Sequence, residues 1–468
     1  MASGKREILF VAMAYIFLVV STGAEGEAEA DRIIKLPGQP KVSFQHYSGY
    51  VTVNKVAGRA LFSWHTEAVS LPESKPLVIW FNGGPGCSSL AFGASEEIGP
   101  FKIKKNGTGL YLNKFSWNTV ANLLFIESPA GVGFSYTNTT NATSDILNTG
   151  DQRTATEALE FVIRWLDRFP HYKQRDIYLT GESYAGHYVP QLAKEIMTYN
   201  SRTKYPINLK GIMVGNALID NNQDNLGLVD YLWTHALISD ESHRQLLNKC
   251  DYHTKNNGSV ACKLINQYVA KEIGQIDRYN IFVPRCIKSS SGTNNAAQRI
   301  LHLPHLLPFS IPGQMAGFDP CTENYAEIYY NRPDVQKALH ANTTKIPYKW
   351  SACNWDLNQQ WKDSDLSILP IYNEMIAGGL KIWVYSGDVD SVVSVTSTKY
   401  SLAQLNLTTK IPWYPWYVNN QVGGWTEVYE GLTFATVRGA GHEVPLYKPQ
   451  EALQLIKSFL SGTPLPKL

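Results

Sequence analysis

With 468 residues, 44% hydrophobic and 12% aromatic, the chain can bury a large core as one oversized domain or two, and it is not disordered. Its 42 basic and 40 acidic side chains give a formal net charge of +2. Basic runs are absent, which excludes nucleic acid and acidic polymers as expected partners.

Lys5 and Arg6 precede an apolar stretch over residues 8–20 and the small residues Ser21, Thr22, Gly23 and Ala24. Residues 1–24 therefore predict a secretory signal peptide cleaved near Ala24. The apolar run is shorter than the roughly 20 residues that span a bilayer, so no membrane attachment is expected after signal removal. Six N-x-Ser/Thr sequons, at Asn106, Asn138, Asn141, Asn257, Asn342 and Asn406, lie in polar stretches and support export. The destination is the secretory pathway, ending outside the cell or in a vacuole. Cys87, Cys250, Cys262, Cys286, Cys321 and Cys353 form no C-x-x-C pair and have no histidine at zinc-ligand spacing. In an oxidising compartment they predict three disulfides and no metal site, with the connectivity open on spacing alone.

Residues 42–46 and 49–53 alternate as antiparallel strands with a glycine turn, continued by residues 60–65. Residues 76–81 form a continuous apolar run, as in a strand buried on both faces, and end in Asn82-Gly83-Gly84-Pro85-Gly86-Cys87-Ser88-Ser89. Esterases and lipases place the first half of an oxyanion hole at such a loop. A second buried strand over 122–127 leads into the Gly-rich loop 128–136; Gly131-x-Gly133 has no third glycine and no P-loop lysine, so phosphate binding is set aside. No cofactor is expected. Apolar residues at helical spacing predict a helix over 154–169.

Strand residues 177–180 then enter Gly181-Glu182-Ser183-Tyr184-Ala185-Gly186 and a helix through Val189, Leu192, Ala193 and Ile196. This reads as a nucleophile elbow: a serine held in a sharp strand-to-helix turn with small neighbours. After a strand over 209–214 the alternation stops, and residues 219–324 read as a largely helical cap inserted between core parts 41–218 and 325–468. Within it, 288–312 has the composition of an exposed loop open to nicking. Strands over 380–385 and 433–437 end in Ser386-Gly387-Asp388-Val389-Asp390 and Arg438-Gly439-Ala440-Gly441-His442, and a helix over 451–460 closes the chain.

Serine, acid, histidine is the chain order of α/β-hydrolases. Ser183 is the expected nucleophile, His442 its base and Asp390 the orienting acid, chosen over Asp388 because it reaches back under the histidine while Asp388 braces the turn. The N–H groups of Gly84 and Tyr184 are the expected oxyanion donors.

The blocks at 82–89, 181–190, 386–393 and 439–445 resemble those of the serine carboxypeptidases, a family that includes cathepsin A. Residues 320–326 (PCTENYA) and 330–336 (YNRPDVQ) are similar to the plant-type serine carboxypeptidase II branch. The resemblance spans nearly the whole mature chain. It implies an α/β-hydrolase fold with a mixed sheet, removal of single residues from peptide or protein C-termini through an acyl-enzyme, and a preference for acid. It implies disulfides Cys87–Cys353, Cys250–Cys262 and Cys286–Cys321 and excision around 288–312, and it is compatible with a homodimer. It assigns the grip on the substrate's terminal carboxylate to Asn82 and Gly83, with Glu182 sharing a proton with Glu96 or Glu97 and Trp80 supporting the pair. Two carboxyls in contact cannot both ionise cheaply, so one stays protonated and can donate.

Two other readings carry weight. Acyltransferases of the family use sugar-ester donors and usually have Asp in place of Glu182; the glutamate here favours the peptidase. An inactive binding protein on the scaffold is disfavoured by the intact serine, acid and histidine. One departure stands out: Ser394 follows Val392 and Val393 where the family usually has proline, which predicts a looser turn around Asp390.

Overall fold

The computed structural model describes residues 26–254, 259–286, 319–343, 346 and 348–468. The expected leader, Asn257 and segment 288–312 lie outside them. The described strands are β1 (His46–Asn54), β2 (Arg59–Thr66), β3 (Leu77–Phe81), β4 (Phe101–Ile103), β5 (Leu110–Leu112), β6 (Asn122–Ile126), β7 (Ile177–Glu182), β8 (Leu209–Gly215), β9 (Lys381–Gly387), β10 (Thr409–Val418), β11 (Gln421–Tyr429) and β12 (Leu432–Val437). All but the β4–β5 hairpin belong to one sheet in the order β1-β2-β6-β3-β7-β8-β9-β12-β11-β10. Its centre, β6 to β12, is parallel and its flanks are antiparallel. This is the mixed sheet of an α/β-hydrolase.

The continuous apolar runs of the central strands follow from burial on both faces. Val78 and Trp80 of β3, Tyr178 of β7 and Trp383 of β9 enter one core, whereas Ile79, Leu179 and Val384 enter the other. Helix α1 (Asp151–Arg168) covers the second face with Phe161, Val162 and Trp165, beside α2 (Ala185–Asn200). In the insertion, helices α3 (Asn221–Thr234), α4 (Asp240–Lys249) and α5 (Val260–Ile273) share a third core around Leu232, Leu246 and Val269. Helix α6 (Thr322–Tyr330) starts inside the segment read as insertion yet buries Tyr325, Ala326, Tyr329 and Tyr330 in the main core. The disulfides are Cys87–Cys353, Cys250–Cys262 and Cys286–Cys321. Among the described residues no helix is long and apolar enough to cross a membrane.

Three sequence expectations need correction. No strand covers residues 42–45: β1 begins at His46 and runs unbroken to Asn54, with Gly49 inside it opposite Ser63. A β-carbon there would lie 2.4 Å from Asp31 Oδ1, so the glycine admits a neighbour and makes no turn. The β10–β11 hairpin was not anticipated, because Pro412 and Pro415 argue against a strand; they are tolerated because β10 is an edge. Its two-residue turn uses Asn419 and Asn420 at φ 48° and 61°. Finally, Ser394 does not loosen its turn: it caps the helix Val395–Ala403, its Oγ accepting from Ser397 N at 3.1 Å.

One buried group couples this core to pH. Glu127, fully buried at the end of β6, accepts from Ser88, from the Phe134 amide and from Trp350. Burial pushes its carboxyl up from the ordinary 4.5 to about 7, even though these donors favour the ionised form. Between those values the unfolded chain has shed the proton and the folded chain keeps it. Stability therefore falls as pH rises, by on the order of 3 kcal/mol from this group. In Glu127→Gln, the loss of thermal midpoint from acid to neutral pH is expected to be smaller than in the wild type, as calorimetry at a series of pH values would show.

Candidate active site

Ser183 follows β7 at φ 62°, a left-handed conformation that costs a non-glycine residue about 1–3 kcal/mol. The turn is tightly enclosed. A β-carbon at Gly181 would lie 2.5 Å from Phe81 O, and one at Gly186 would lie 2.3 Å from Leu218 O. Three bonds hold the elbow: the Ser183 amide donates to Gly215 O at 3.0 Å, and its carbonyl accepts from Gly186 at 2.9 Å and Leu218 at 3.1 Å. Its side chain is half-buried and reachable. The loop after β3 touches the elbow directly, since a β-carbon on Gly83 would sit 2.3 Å from Tyr184 N. The backbones carrying the Gly84 and Tyr184 amides are therefore adjacent.

The acid and base arrive along the same sheet edge. His442 Nδ1 is 2.7 Å from Asp390 Oδ2, and both side chains are buried. Asp390 also accepts from Asn216 Nδ2 at 2.8 Å, Val392 N at 2.7 Å and Val393 N at 3.1 Å. An acceptor so placed fixes the histidine proton on Nδ1 and leaves Nε2 as a base. Asp388 instead accepts from Gly439 N at 2.6 Å and braces the turn before the histidine. The His442 amide donates to Tyr279 O at 2.7 Å, and its ring stacks on Tyr279 at 4.5 Å. Asn216, Tyr279 and Asp151, the last hydrogen-bonded to Tyr184, were missed by sequence reasoning. A polar residue ending the apolar strand β8 could have pointed to Asn216; Tyr279, inside the insertion, left no signal.

Beside the elbow lies a nest of buried carboxyls. Asn82 Nδ2 donates to Glu182 Oε1 at 2.9 Å and to Glu97 Oε1 at 3.1 Å, while Trp80 Nε1 donates to Asn82 Oδ1 at 2.7 Å. Glu97 is thus the glutamate beside Glu182; Glu96 turns away to accept from Thr322 Oγ1 at 2.7 Å. Burial raises the Glu97 and Glu182 carboxyls well above the usual range, and for Glu182 the charge of Glu97 raises it further. Glu443, next to His442, is raised too, by burial and by the charges of Glu96 and Glu97.

The order in which the chain delivers these groups, serine after β7, acid after β9 and histidine after β12, is that of α/β-hydrolases. Comparison with known proteins narrows this class. The sequence model of the Serine carboxypeptidase family matches residues 37–462, and the chain belongs to that family. It is 63% identical to Serine carboxypeptidase-like 25 of Arabidopsis thaliana over the whole of both chains. It is 57% identical to Serine carboxypeptidase 24 of the same plant, covering 96% of this chain and 95% of that one. Among solved structures, a prohormone-processing carboxypeptidase from Saccharomyces cerevisiae shares the fold, with TM-score 0.77 and 22% identity over 93% of this chain and 96% of that chain.

Proposed function

We propose that the protein is a serine-type exopeptidase that releases single residues from peptide C-termini through an acyl-enzyme, and does so best in acid. Ser183 Oγ attacks the scissile carbonyl while His442 Nε2 takes its proton and then returns it to the leaving amine; Asp390 holds the imidazolium. The Gly84 and Tyr184 amides receive the oxyanion. Water then repeats the steps on the acyl ester.

The observation that carries the exopeptidase reading is the Glu97–Glu182 pair, bridged by Asn82 directly beside the nucleophile. While the pair holds a shared proton it can donate to a terminal carboxylate. As pH rises and that proton leaves, the negative charge repels the same carboxylate. Peptide hydrolysis is therefore expected to drop about tenfold or more between about pH 5 and about pH 8, while cleavage of an ester without a free carboxylate persists. The experiment compares a blocked dipeptide, its C-terminal amide and such an ester across that range. Parallel profiles, or equal release from the amide, would overturn the reading. Absence of release, with acyl transfer from a sugar ester, would establish the acyltransferase instead.

A route through the secretory pathway fits the three disulfides and the four exposed sequon residues Asn106, Asn138, Asn141 and Asn406. Asn342 is half-buried, its amide donating to Gln336 Oε1 at 3.1 Å, which makes it the least available of the described sequons.

A further inference from the structure

Oxyanion donors work only if they are already in place, because their energy is realised in the transition state. Here the two donors come from separate loops, and each needs outside support. One lies in a run of three glycines and a proline, and the other begins helix α2 at Tyr184, which has no side-chain cap. A single surface segment, residues 353–364, reaches both.

On the first side, the Cys87–Cys353 disulfide anchors the segment to the glycine loop. The Asn354 amide donates to Gly86 O at 2.9 Å, and Asn358 Nδ2 donates to Pro85 O at 3.0 Å. On the second side, Ser364 Oγ bonds the Tyr184 hydroxyl, and Trp361 meets the Tyr184 ring edge-on at 5.8 Å. Trp361 Nε1 also donates to Asp151 Oδ1 at 2.7 Å. Asp151 is the hub. The Tyr184 hydroxyl donates to its Oδ1 at 2.8 Å, and His187 Nδ1 and Gln191 Nε2 meet its Oδ2 at 3.0 and 2.8 Å. It is 2% exposed, and a carboxylate is an acceptor that can gather all four groups at once. His187 in turn stacks on the Tyr184 ring at 4.7 Å and 14°. Tyr184 is thus held at its hydroxyl and on one face, by groups that lead through Trp361 to the segment holding the glycine loop.

We propose that Asp151 and residues 353–364 form a clamp that sets the spacing of the Gly84 and Tyr184 amides, with Asp151 and Asn358 as positioning residues for the oxyanion hole. The inference rests on the serine-hydrolase mechanism proposed above. Neither residue is assigned a contact with the substrate. Loosening the clamp therefore weakens transition-state binding and leaves ground-state binding in place.

The test uses Asp151→Asn and Asn358→Ala in the full-length protein. It measures kcat and KM on a blocked dipeptide, inhibition by a peptidyl boronate that forms a tetrahedral adduct on the serine, inhibition by the released amino acid, and the thermal midpoint. Removing an oxyanion donor outright costs about 100- to 1,000-fold in kcat, so displacing one is expected to cost roughly 10- to 100-fold. Boronate affinity should fall by the same factor, with KM and product inhibition unchanged. A loss of kcat without loss of boronate affinity would overturn the clamp, as would unchanged kcat in both variants of an active protein. If Asp151→Asn does not fold, Asn358→Ala carries the test by the same criteria. A wild type that neither releases the amino acid nor is labelled at Ser183 by a fluorophosphonate would overturn the mechanism and the clamp together.

Discussion

Ser183→Ala is expected to lower kcat for release of a C-terminal residue by on the order of 10⁵- to 10⁶-fold, with substrate affinity almost unchanged. Alanine keeps the small volume and beta-carbon of serine, so the turn at φ 62° and its bonds to Gly215, Gly186 and Leu218 should persist. The groups proposed to hold the substrate's terminal carboxylate belong to other residues and should still hold a peptide. The measurement is single-turnover release alongside equilibrium binding of the same blocked dipeptide. Because nucleophile and base act as one unit, adding His442→Ala to Ser183→Ala should cost almost nothing more. A Ser183→Ala protein within tenfold of the wild type would remove Ser183 from the chemistry.

Much of this site was legible because its parts obey local rules. A nucleophile elbow needs small residues at fixed offsets from the serine, and Gly181 and Gly186 show in the structure what larger side chains would strike. Asp390 and His442 each follow an apolar strand, so a one-dimensional pattern placed them on one sheet edge. What was not legible depends on contacts between distant segments. Helical spacing cannot say which of two adjacent glutamates faces a strand; the π-helical turn Leu90–Glu97 aims Glu97 at Asn82 and Glu96 at Thr322. Asp151 reads as an ordinary acidic helix start, since its four donors come from residues 184, 187, 191 and 361. The β10–β11 hairpin was hidden by its own prolines, which local propensity penalises and an edge position excuses.

Asp390→Asn is expected to lower kcat by about 10⁴-fold, the cost of the wrong imidazole tautomer. The carboxylate meets four donors: His442 Nδ1 and Asn216 Nδ2 at Oδ2, the Val392 amide at Oδ1 and the Val393 amide at Oδ2. An asparagine must turn its own N–H₂ towards one set of them. Facing His442, it would force the ring proton onto Nε2, where the base can no longer accept from Ser183, and it would confront the donor of Asn216. Facing Val392, it would oppose a backbone N–H and leave that group buried without an acceptor, a cost of about 1–3 kcal/mol. Activity and thermal midpoint should therefore fall together in Asp390→Asn. Asp388→Asn provides the contrast, because Asp388 Oδ1 accepts from the Gly439 amide and asparagine can supply that acceptor. Its kcat should stay within about tenfold of wild type. If the two variants exchange these effects, the acid of the triad is Asp388 and not Asp390.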